Sequence, residues 1–203
     1  MTPTIIHQGM QALAKADPDI AKAASQVGPP PAREREKGFE AFFATIVSQQ
    51  ISTAAASAIL QRLRDQLPEL NAETVTAIDA QRLRDAGLSW RKVDYAKALA
   101  AATLDGDFDA QTLESMDDAT AIQAITALRG FGRWSAEIYL MFSLKRADIF
   151  PADDLALRVA LGRLKGLEKR PTPGQARALV EHWTPWRSVG ALFLWHYYRG
   201  APA

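Results

Sequence analysis

The sequence of 203 residues contains no cysteine. This absence excludes disulfide frameworks, thiol nucleophiles, cysteine-ligated zinc sites and cysteine-held iron–sulfur clusters. Histidine is scarce as well, and the three histidines, His7, His182 and His196, are widely separated along the chain. We therefore expect no set of side chains that binds a metal ion.

Long hydrophobic runs are also missing. No apolar run reaches the roughly 18 residues that a membrane span requires, and residues 1–20 lack the apolar region of a signal peptide. Apolar residues make up 48% of the chain and charged residues 23%, as in ordinary globular proteins. We expect a cytoplasmic protein with one domain, or two small lobes sharing a core.

The net charge of +1 conceals an asymmetry between the two parts of the chain. Residues 1–120 carry a net charge of −5 and residues 121–203 a net charge of +6. A basic half is typical of a surface that binds a polyanion. Uneven surface charge without a binding role is the alternative.

Alanine is abundant, β-branched runs are short, and no pair of strands is evident. The patterns predict an all-α protein of many short helices, including one helix over residues 7–27. Several residues are suited to start a helix, either as a capping side chain or as a capping side chain followed by proline. They are Ser89, Asp117 or Asp118, Thr172-Pro173 and Thr184-Pro185.

The most informative stretch is residues 128–136, Leu-Arg-Gly-Phe-Gly-Arg-Trp-Ser-Ala, which lies between two helical segments. Gly130 and Gly132 permit a tight turn, and Phe131 between them is expected to pack inward. The backbone N–H groups that open the next helix can bind an anion such as a DNA phosphate. An ordinary turn between two helices is the alternative for a Gly-x-Gly pair alone.

Further motifs accompany this hairpin in a fixed order. They are residues 46–52 (Ile-Val-Ser-Gln-Gln-Ile-Ser), Gly87-Leu88-Ser89 with Lys92, residues 148–155 (Asp-Ile-Phe-Pro-Ala-Asp-Asp-Leu), and residues 183–188 (Trp-Thr-Pro-Trp-Arg-Ser) followed by Trp195. Together they resemble the HhH-GPD superfamily of DNA base-excision glycosylases over residues 38–200. The C-terminal motif resembles that of bacterial DNA-3-methyladenine glycosylases of type II, here in a compact form without their extra N-terminal domain.

The resemblance implies the HhH-GPD fold, with two helical lobes, an active-site cleft between them and a helix-hairpin-helix near residues 122–143. We expect one lobe over residues 45–150 and the other over residues 1–44 and 151–203. The sequence departs from the family pattern at Arg129, where proline is usual, and at Phe131, where isoleucine or valine is common.

The resemblance also implies a monofunctional enzyme. Branches that cleave the strand place a nucleophilic lysine two residues after the second hairpin glycine, and this chain has Trp134 there. An aromatic face attracts the cationic base that alkylation creates, and the resemblance assigns Trp134 and Trp195 to the base pocket. We add Phe39 and Tyr139 as pocket candidates, although Ile138, and not Tyr139, stands where the family has a further aromatic residue. Both tryptophans could instead be core residues.

Asp153 and Asp154 follow a proline-bearing loop and precede a predicted helix. The resemblance assigns catalysis to Asp154, and we assign the helix cap to Asp153. A carboxylate there can stabilise positive charge on the sugar or activate water. The two roles stay open.

Base flipping leaves a gap in the duplex that a side chain must fill. The resemblance points to the loop of Gln49, Gln50 and Ile51, with Gln50 or Ile51 as the inserting residue. A plain helix connection is the alternative. The predicted DNA contacts of the hairpin are Gly130, Phe131, Gly132 and Arg133.

The expected partner is double-stranded DNA containing alkylated bases, bound by a monomer near the bacterial nucleoid. No cofactor is required, although family members can hold a monovalent cation, Na⁺ or K⁺, at the hairpin carbonyls. A non-catalytic helix-hairpin-helix DNA-binding protein is the alternative function. Asp154, Trp134 and Trp195 favour the enzyme, because such a module needs neither a carboxylate nor aromatic walls.

Overall fold

The computed structural model describes residues 1–67 and 69–200, and in these residues the regular structure consists of α-helices and two 3₁₀ turns. The all-α prediction is confirmed. The 3₁₀ turns are Thr112–Glu114 and Glu181–Trp183. The helices are α1 (Pro3–Ala16), α2 (Pro18–Val27), α3 (Phe39–Ser48), α4 (Thr53–Gln66), α5 (Ala72–Ala77), α6 (Ala80–Asp85), α7 (Trp90–Leu104), α8 (Asp118–Ala127), α9 (Arg133–Phe142), α10 (Leu155–Leu164), α11 (Pro173–Leu179) and α12 (Arg187–Gly200).

Capping side chains start three of the helices as predicted. Ser89, Asp117 and Thr172 each accept a hydrogen bond from a backbone N–H in the first turn of α7, α8 and α11, respectively. Those N–H groups have no partner inside the helix, so the caps stabilise the starts. The predicted start at Thr184-Pro185 is wrong, because α12 begins only at Arg187.

The single helix predicted over residues 7–27 is also wrong, since two helices meet at Asp17. The Asp17 N–H donates to the Leu13 carbonyl at 2.8 Å and closes α1. The Asp17 side chain accepts the Asp19 N–H at 3.1 Å and opens α2. Pro18 takes the first position of α2, where a missing N–H costs nothing.

The described residues form two compact units. The discontinuous unit comprises the described residues of Met1–Glu34 and Glu137–Ala203, and the continuous unit comprises those of Arg35–Ala136. The sequence predicted lobe boundaries at residues 44 and 150, whereas these units divide at residues 34 and 136. The hairpin helix α9 starts in the continuous unit and runs on in the discontinuous one.

In the discontinuous unit, α10 packs on α12, and α1 packs on α2 and α12. Apolar side chains fill the space between these helices. Gly190 allows α12 to lie directly against the Trp183 ring, which a Cβ at that position would overlap. The largest side chains buried in this unit are Met1, Leu13, Ile20, Phe142, Trp183 and Phe193.

In the continuous unit, α7 packs on α3 and α5, and α3 also packs on α4. Phe42 lies at the centre, with its ring in edge-on contact with Phe108 at 5.1 Å and Phe131 at 5.5 Å between centroids. Aromatic pairs of this geometry add to the free energy gained by burial. Among the described residues, none of the helices combines the length and apolar character that a membrane crossing requires.

Candidate active site

The carboxylate of Asp154 lies at the N-terminus of α10. Its Oδ1 atom accepts the Leu157 backbone N–H at 3.0 Å and the Trp195 indole N–H at 3.2 Å. Asp154 is therefore the N-cap of the helix. These contacts hold a partly exposed carboxyl group in a fixed position.

The assignment of the helix cap to Asp153 is wrong. Since α10 begins at Leu155, the residue that can reach its first unpaired N–H groups is Asp154. The exposed Asp153 carboxylate lies instead 3.3 Å from the Arg177 guanidinium. The residue predicted to be catalytic therefore also caps the helix.

An aromatic pair lies beside this carboxylate. The Trp195 ring is tilted by 32° against Phe142, with 5.9 Å between the ring centroids. On Phe142, the Arg33 guanidinium lies 5.1 Å from the ring centroid. Trp195 stays partly exposed, so an aromatic surface lies next to an anionic group.

Two residues of the C-terminal motif anchor the loop that leads to Asp154, a role that sequence reasoning missed. The buried Ser188 hydroxyl accepts the Ile149 N–H at 2.8 Å, and its single O–H lies within donating distance of the carbonyls of Arg146, at 2.7 Å, and Ile149, at 3.1 Å. Arg187 binds Asp148 through two parallel bonds of 2.7 and 2.8 Å. Arg187, Ser188 and Asp148 all belong to the sequence motifs, but a sequence does not show which residues are in contact.

The Asp148 carboxylate is held in its charged form. Burial opposes ionisation, but the hydrogen bonds and the charge of Arg187 outweigh burial and lower the pKa of Asp148 below its ordinary value. The bidentate pair therefore persists at neutral pH and fixes the loop ahead of Asp154.

In the continuous unit, the hairpin turn depends on Gly130. This glycine has φ of +91°, and a Cβ added there would overlap the Tyr95 ring. Gly132 differs, because a Cβ added to it would meet no atom within 4 Å. Phe131 is buried against Phe42, as predicted. The turn thus needs glycine at position 130 for its conformation, while position 132 faces open space.

The tryptophan of the hairpin is prominent on the surface. Trp134 follows Arg133 in the first turn of α9 and is 43% exposed. It is therefore not a core tryptophan. Of the other predicted pocket residues, Tyr139 is only 5% exposed, and Phe39 is half-buried with its ring stacked on Phe43 at 6.3 Å. The pocket roles of these residues stay predictions.

The loop predicted to enter DNA is tied to the hairpin. The Gln49 side-chain amide donates to the Gly130 carbonyl at 2.9 Å. Gln50 has φ of +58°, a left-handed conformation that costs a non-glycine residue free energy, and its side chain accepts a bond from Arg91 at 3.0 Å. Ile51 is exposed beside it. The structure thus brings this loop and the hairpin together.

Lys92 on α7 binds the end of α3, directly before this loop. Lys92 Nζ donates to the Val47 carbonyl in the last turn of α3, at 2.7 Å. Burial and the nearby Arg91 charge lower the pKa of Lys92. Sequence reasoning noted Lys92 in a motif without a role, and it missed Arg91. Neither residue's partner is visible in the sequence, because both partners lie more than forty residues away.

A family model and several known proteins are similar to this chain. A family model described as HhH-GPD superfamily base excision DNA repair protein matches residues 43–185. The DNA-3-methyladenine glycosylase 1 of Schizosaccharomyces pombe is 32% identical over 87% of this chain and 79% of its own length. The DNA-3-methyladenine glycosylase 2 of Escherichia coli is 28% identical over 78% of this chain and 57% of its own length.

Solved structures agree in fold. The DNA-3-methyladenine glycosidase of Bacillus halodurans superimposes with a TM-score of 0.83 at 28% identity, covering 92% of this chain and 87% of that one. The 3-methyladenine DNA glycosylase of S. pombe in complex with abasic DNA superimposes with a TM-score of 0.82 at 30% identity, covering 96% and 98%.

Proposed function

This chain belongs to the HhH-GPD superfamily of base excision DNA repair proteins, and we propose that it is a monofunctional DNA glycosylase that removes alkylated purines from duplex DNA. The observation that carries this proposal is the Asp154 carboxylate, held at the N-terminus of α10 by the Leu157 N–H and the Trp195 indole. The product would be an abasic site in an unbroken strand.

The chemistry follows from the charge of Asp154. As the glycosidic bond breaks, positive charge develops on the sugar, and a fixed carboxylate stabilises that transition state. The same group can orient or deprotonate the attacking water. Because the hydrogen bonds from Leu157 and Trp195 already hold the anion in place, little reorganisation is needed during the reaction.

DNA binding is assigned to the hairpin and the adjoining loop of the continuous unit. Backbone N–H groups at the start of α9 favour a phosphate, and such contacts position the protein without reading sequence. Gln50 or the exposed Ile51 would fill the space that a flipped base leaves. The bond from Gln49 to Gly130 would keep the two elements in register on the duplex.

Trp134 is the reason that we expect no strand cleavage. An indole cannot form the Schiff base that lyases need. Its exposed face can attract a cationic base, such as a purine alkylated at N3 or N7. The weakened glycosidic bond of such a base supplies further discrimination.

A monovalent cation at the hairpin also fits the residues present. The carbonyls of Leu128 and Gly130 each accept one hydrogen bond, and a carbonyl oxygen has a second lone pair. A bound Na⁺ or K⁺ would add positive charge for a phosphate. We assign the protein to the cytoplasm, at the nucleoid, because its substrate would be there.

A base-release assay tests the proposal. Duplex DNA alkylated at purine N3 and N7 is incubated with the protein, and free bases and alkali-labile sites are measured, with and without borohydride. We expect released alkylated purines, strand breaks only after heat or base, and no borohydride-trapped adduct. Binding without base release would instead support the non-catalytic DNA-binding module, and efficient trapping would indicate a lyase.

A further inference from the structure

Two arginines of the discontinuous unit lie beside the aromatic pair and have no role in the mechanism proposed above. They are Arg33, in the irregular segment between α2 and α3, and Arg199, in the last turn of α12. The Arg33 guanidinium lies 5.1 Å from the centroid of the Phe142 ring, which in turn lies 5.9 Å from that of Trp195. Since the Trp195 indole N–H donates to Asp154, a continuous series of contacts joins Arg33 to the candidate catalytic carboxylate.

Arg199 lies on the same face of α12 as Trp195. The two residues are four positions apart, and side chains at this spacing are neighbours on one face of an α-helix. Both side chains reach the surface, since Arg199 is exposed and Trp195 is partly exposed. Burial, together with the like charge of Arg199, lowers the pKa of Arg33 below its ordinary value. The two guanidinium groups are therefore neighbours beside the aromatic pair.

The segment that carries Arg33 is held in place by two polar contacts. The Arg33 carbonyl accepts a hydrogen bond from the Met1 amino group at 2.7 Å. The carboxylate of the next residue, Glu34, pairs with Lys145 at 2.9 Å. These contacts fix the backbone on either side of Arg33 and engage the adjacent carboxylate with a different cation.

Within residues 1–67 and 69–200, neither Arg33 nor Arg199 forms an ion pair with a carboxylate. Two like charges repel each other, and the repulsion increases where water is partly excluded. An anion that binds both groups removes this repulsion. A phosphate suits such a pair, because a guanidinium can donate two parallel hydrogen bonds to its oxygens.

We propose that Arg33 and Arg199 together bind one backbone phosphate of the DNA, adjacent to the nucleotide whose base is flipped. This inference rests on the proposed function, which places the flipped nucleotide at Asp154. The base would lie against the aromatic surface and the sugar beside the carboxylate, so that an adjoining phosphate lies at the exposed rim with the two arginines. The contact would position the nucleotide without reading sequence. It is a second phosphate site, on the discontinuous unit, whereas the hairpin belongs to the continuous unit.

The test is a scan of neutral methylphosphonates through a duplex that contains a tetrahydrofuran analogue of an abasic site. Each duplex replaces a single phosphate near the analogue, and fluorescence anisotropy measures its dissociation constant. The analogue has no base to release, so the measurement does not depend on catalysis. For the wild type we expect affinity to fall about three- to fivefold at a phosphate adjoining the analogue, the effect of releasing one counterion fewer at physiological salt.

Arg33→Gln should bind the unmodified duplex about three- to fivefold more weakly. It should also lose most of its response to the methylphosphonate at that position, because the substitution and the methylphosphonate remove the same contact. Its response at every other phosphate should remain. Arg199→Gln should behave in the same way. Arg33→Lys should keep most of the affinity, since lysine binds phosphate as a point charge.

Arg170→Gln is the matched control, because it removes the same charge from an exposed position of the same unit. It should bind every duplex as the wild type does. If Arg33→Gln does not fold once its contact with Phe142 is lost, Arg199→Gln decides the question, since the Arg199 side chain is exposed.

The outcomes separate this inference from the proposed function. A full wild-type response at every phosphate in both Arg33→Gln and Arg199→Gln would overturn the inference, as would equal weakening in Arg170→Gln. Slower excision by Arg33→Gln, with unchanged affinity for the abasic duplex, would place Arg33 on the base and overturn it too. A wild type that releases no alkylated base would contradict the proposed function, whereas the scan still decides whether the phosphate site exists.

Discussion

Neighbouring residues of the hairpin and of the candidate site differ in their structural roles, and substitutions can measure each role separately. Gly130 adopts a left-handed conformation against Tyr95, whereas Gly132 faces open space. Asp154 combines a capping role with the proposed catalytic role, and Asp153 one position earlier does neither. Two residues of the same type therefore have different roles, because the local backbone conformation differs at the two positions.

We expect the two hairpin glycines to separate stability from DNA binding. Gly130→Ala should lower the free energy of unfolding by at least about 1 kcal/mol, because of the positive φ and the Tyr95 ring. Gly132→Ala should fold with wild-type stability but bind duplex DNA several-fold more weakly, because its Cβ would occupy the space into which a phosphate approaches. Thermal unfolding and fluorescence anisotropy measure the two effects. Unchanged affinity in Gly132→Ala would contradict the phosphate assignment.

Trp134→Ala should slow excision of a cationic base by about 3- to 30-fold, which corresponds to a cation–π interaction of about 0.5–2 kcal/mol. It should create no strand cleavage. Parallel single-turnover assays on N7-methylguanine and on a neutral lesion check this. An equal loss for both substrates would contradict the cation–π role of the indole.

At the residue scale, the family motif nominates Asp154 for catalysis, which stays a prediction, and the sequence was insufficient to assign the cap. The family motif pointed to the second aspartate, whereas the cap depends on the residue at which α10 begins. A helix boundary is uncertain by a residue or two from sequence alone. Because Asp153 and Asp154 are adjacent, that uncertainty was enough to assign the cap to the wrong one of the two.

Among the elements, the loop between α3 and α4 contains a residue in a strained backbone conformation. Gln50 holds a left-handed φ, Gln49 bonds the loop to the hairpin, and Lys92 on α7 bonds the Val47 carbonyl in the last turn of α3, just before the loop. Strain of this kind persists when the surroundings fix the conformation. We infer that these anchors hold the Gln50 side chain ready for insertion.

Gln50→Gly should change stability and activity in opposite directions. Glycine adopts positive φ without the strain of about 1–2 kcal/mol that an L-residue bears there. Since glycine also gains about 0.4–1 kcal/mol of unfolded-chain entropy, the net rise in the free energy of unfolding should be below about 1 kcal/mol. Excision should become slower because no side chain remains to fill the gap in the duplex. Chemical denaturation and single-turnover kinetics give the two values. Excision at the wild-type rate would indicate that Ile51 is the inserting residue.

Element prediction succeeded where a capping side chain marks a helix start, as at Ser89, Asp117 and Thr172. It failed at Asp17, which ends one helix and begins the next without an intervening loop. Apolar periodicity continues across that junction, so the pattern predicted one helix. The Thr184-Pro185 pair carried the same local signal as Thr172-Pro173, yet the chain makes a 3₁₀ turn before it and α12 starts later.

For the whole molecule, the all-α class and the family were predictable because they depend on patterns spread along the chain. The tertiary contacts were not. The fully buried Asp17 carboxylate accepts bonds from Lys165, Trp183 and His182, which are about 150 residues away in sequence. Local patterns contain no information about such partners.

This cluster should make stability depend on pH. Burial opposes ionisation of Asp17, but bonds from Lys165, Trp183 and His182 outweigh burial and lower its pKa below the ordinary 3.8. Its contribution is therefore complete above pH 3.8 and is lost as the pH falls through the lower folded-state value. Burial likewise opposes the charge of Lys165, yet Asp17 and Asp19 raise its pKa, so its contribution is lost as the pH rises above 10.5.

We expect Asp17→Asn to lower the free energy of unfolding at pH 7 by about 3 kcal/mol, because Lys165 keeps a largely buried charge with a weakened partnership. The variant should also lose less stability between pH 4 and pH 2 than the wild type. Denaturation curves across this range measure both effects. An identical acid dependence in both proteins would contradict the assignment of acid sensitivity to Asp17.

The most direct test of the account is single-turnover excision of one alkylated purine by the wild type, Asp154→Asn and Asp153→Asn, with binding to abasic duplex measured in parallel. Asparagine is also a good N-cap, so Asp154→Asn should fold and bind DNA within a few-fold of the wild type. Its excision should fall by about 100-fold or more, the range found when one electrostatic contact to a transition state is lost. Asp153→Asn should remain active. Near-normal excision by Asp154→Asn, with loss of excision in Asp153→Asn, would contradict the account.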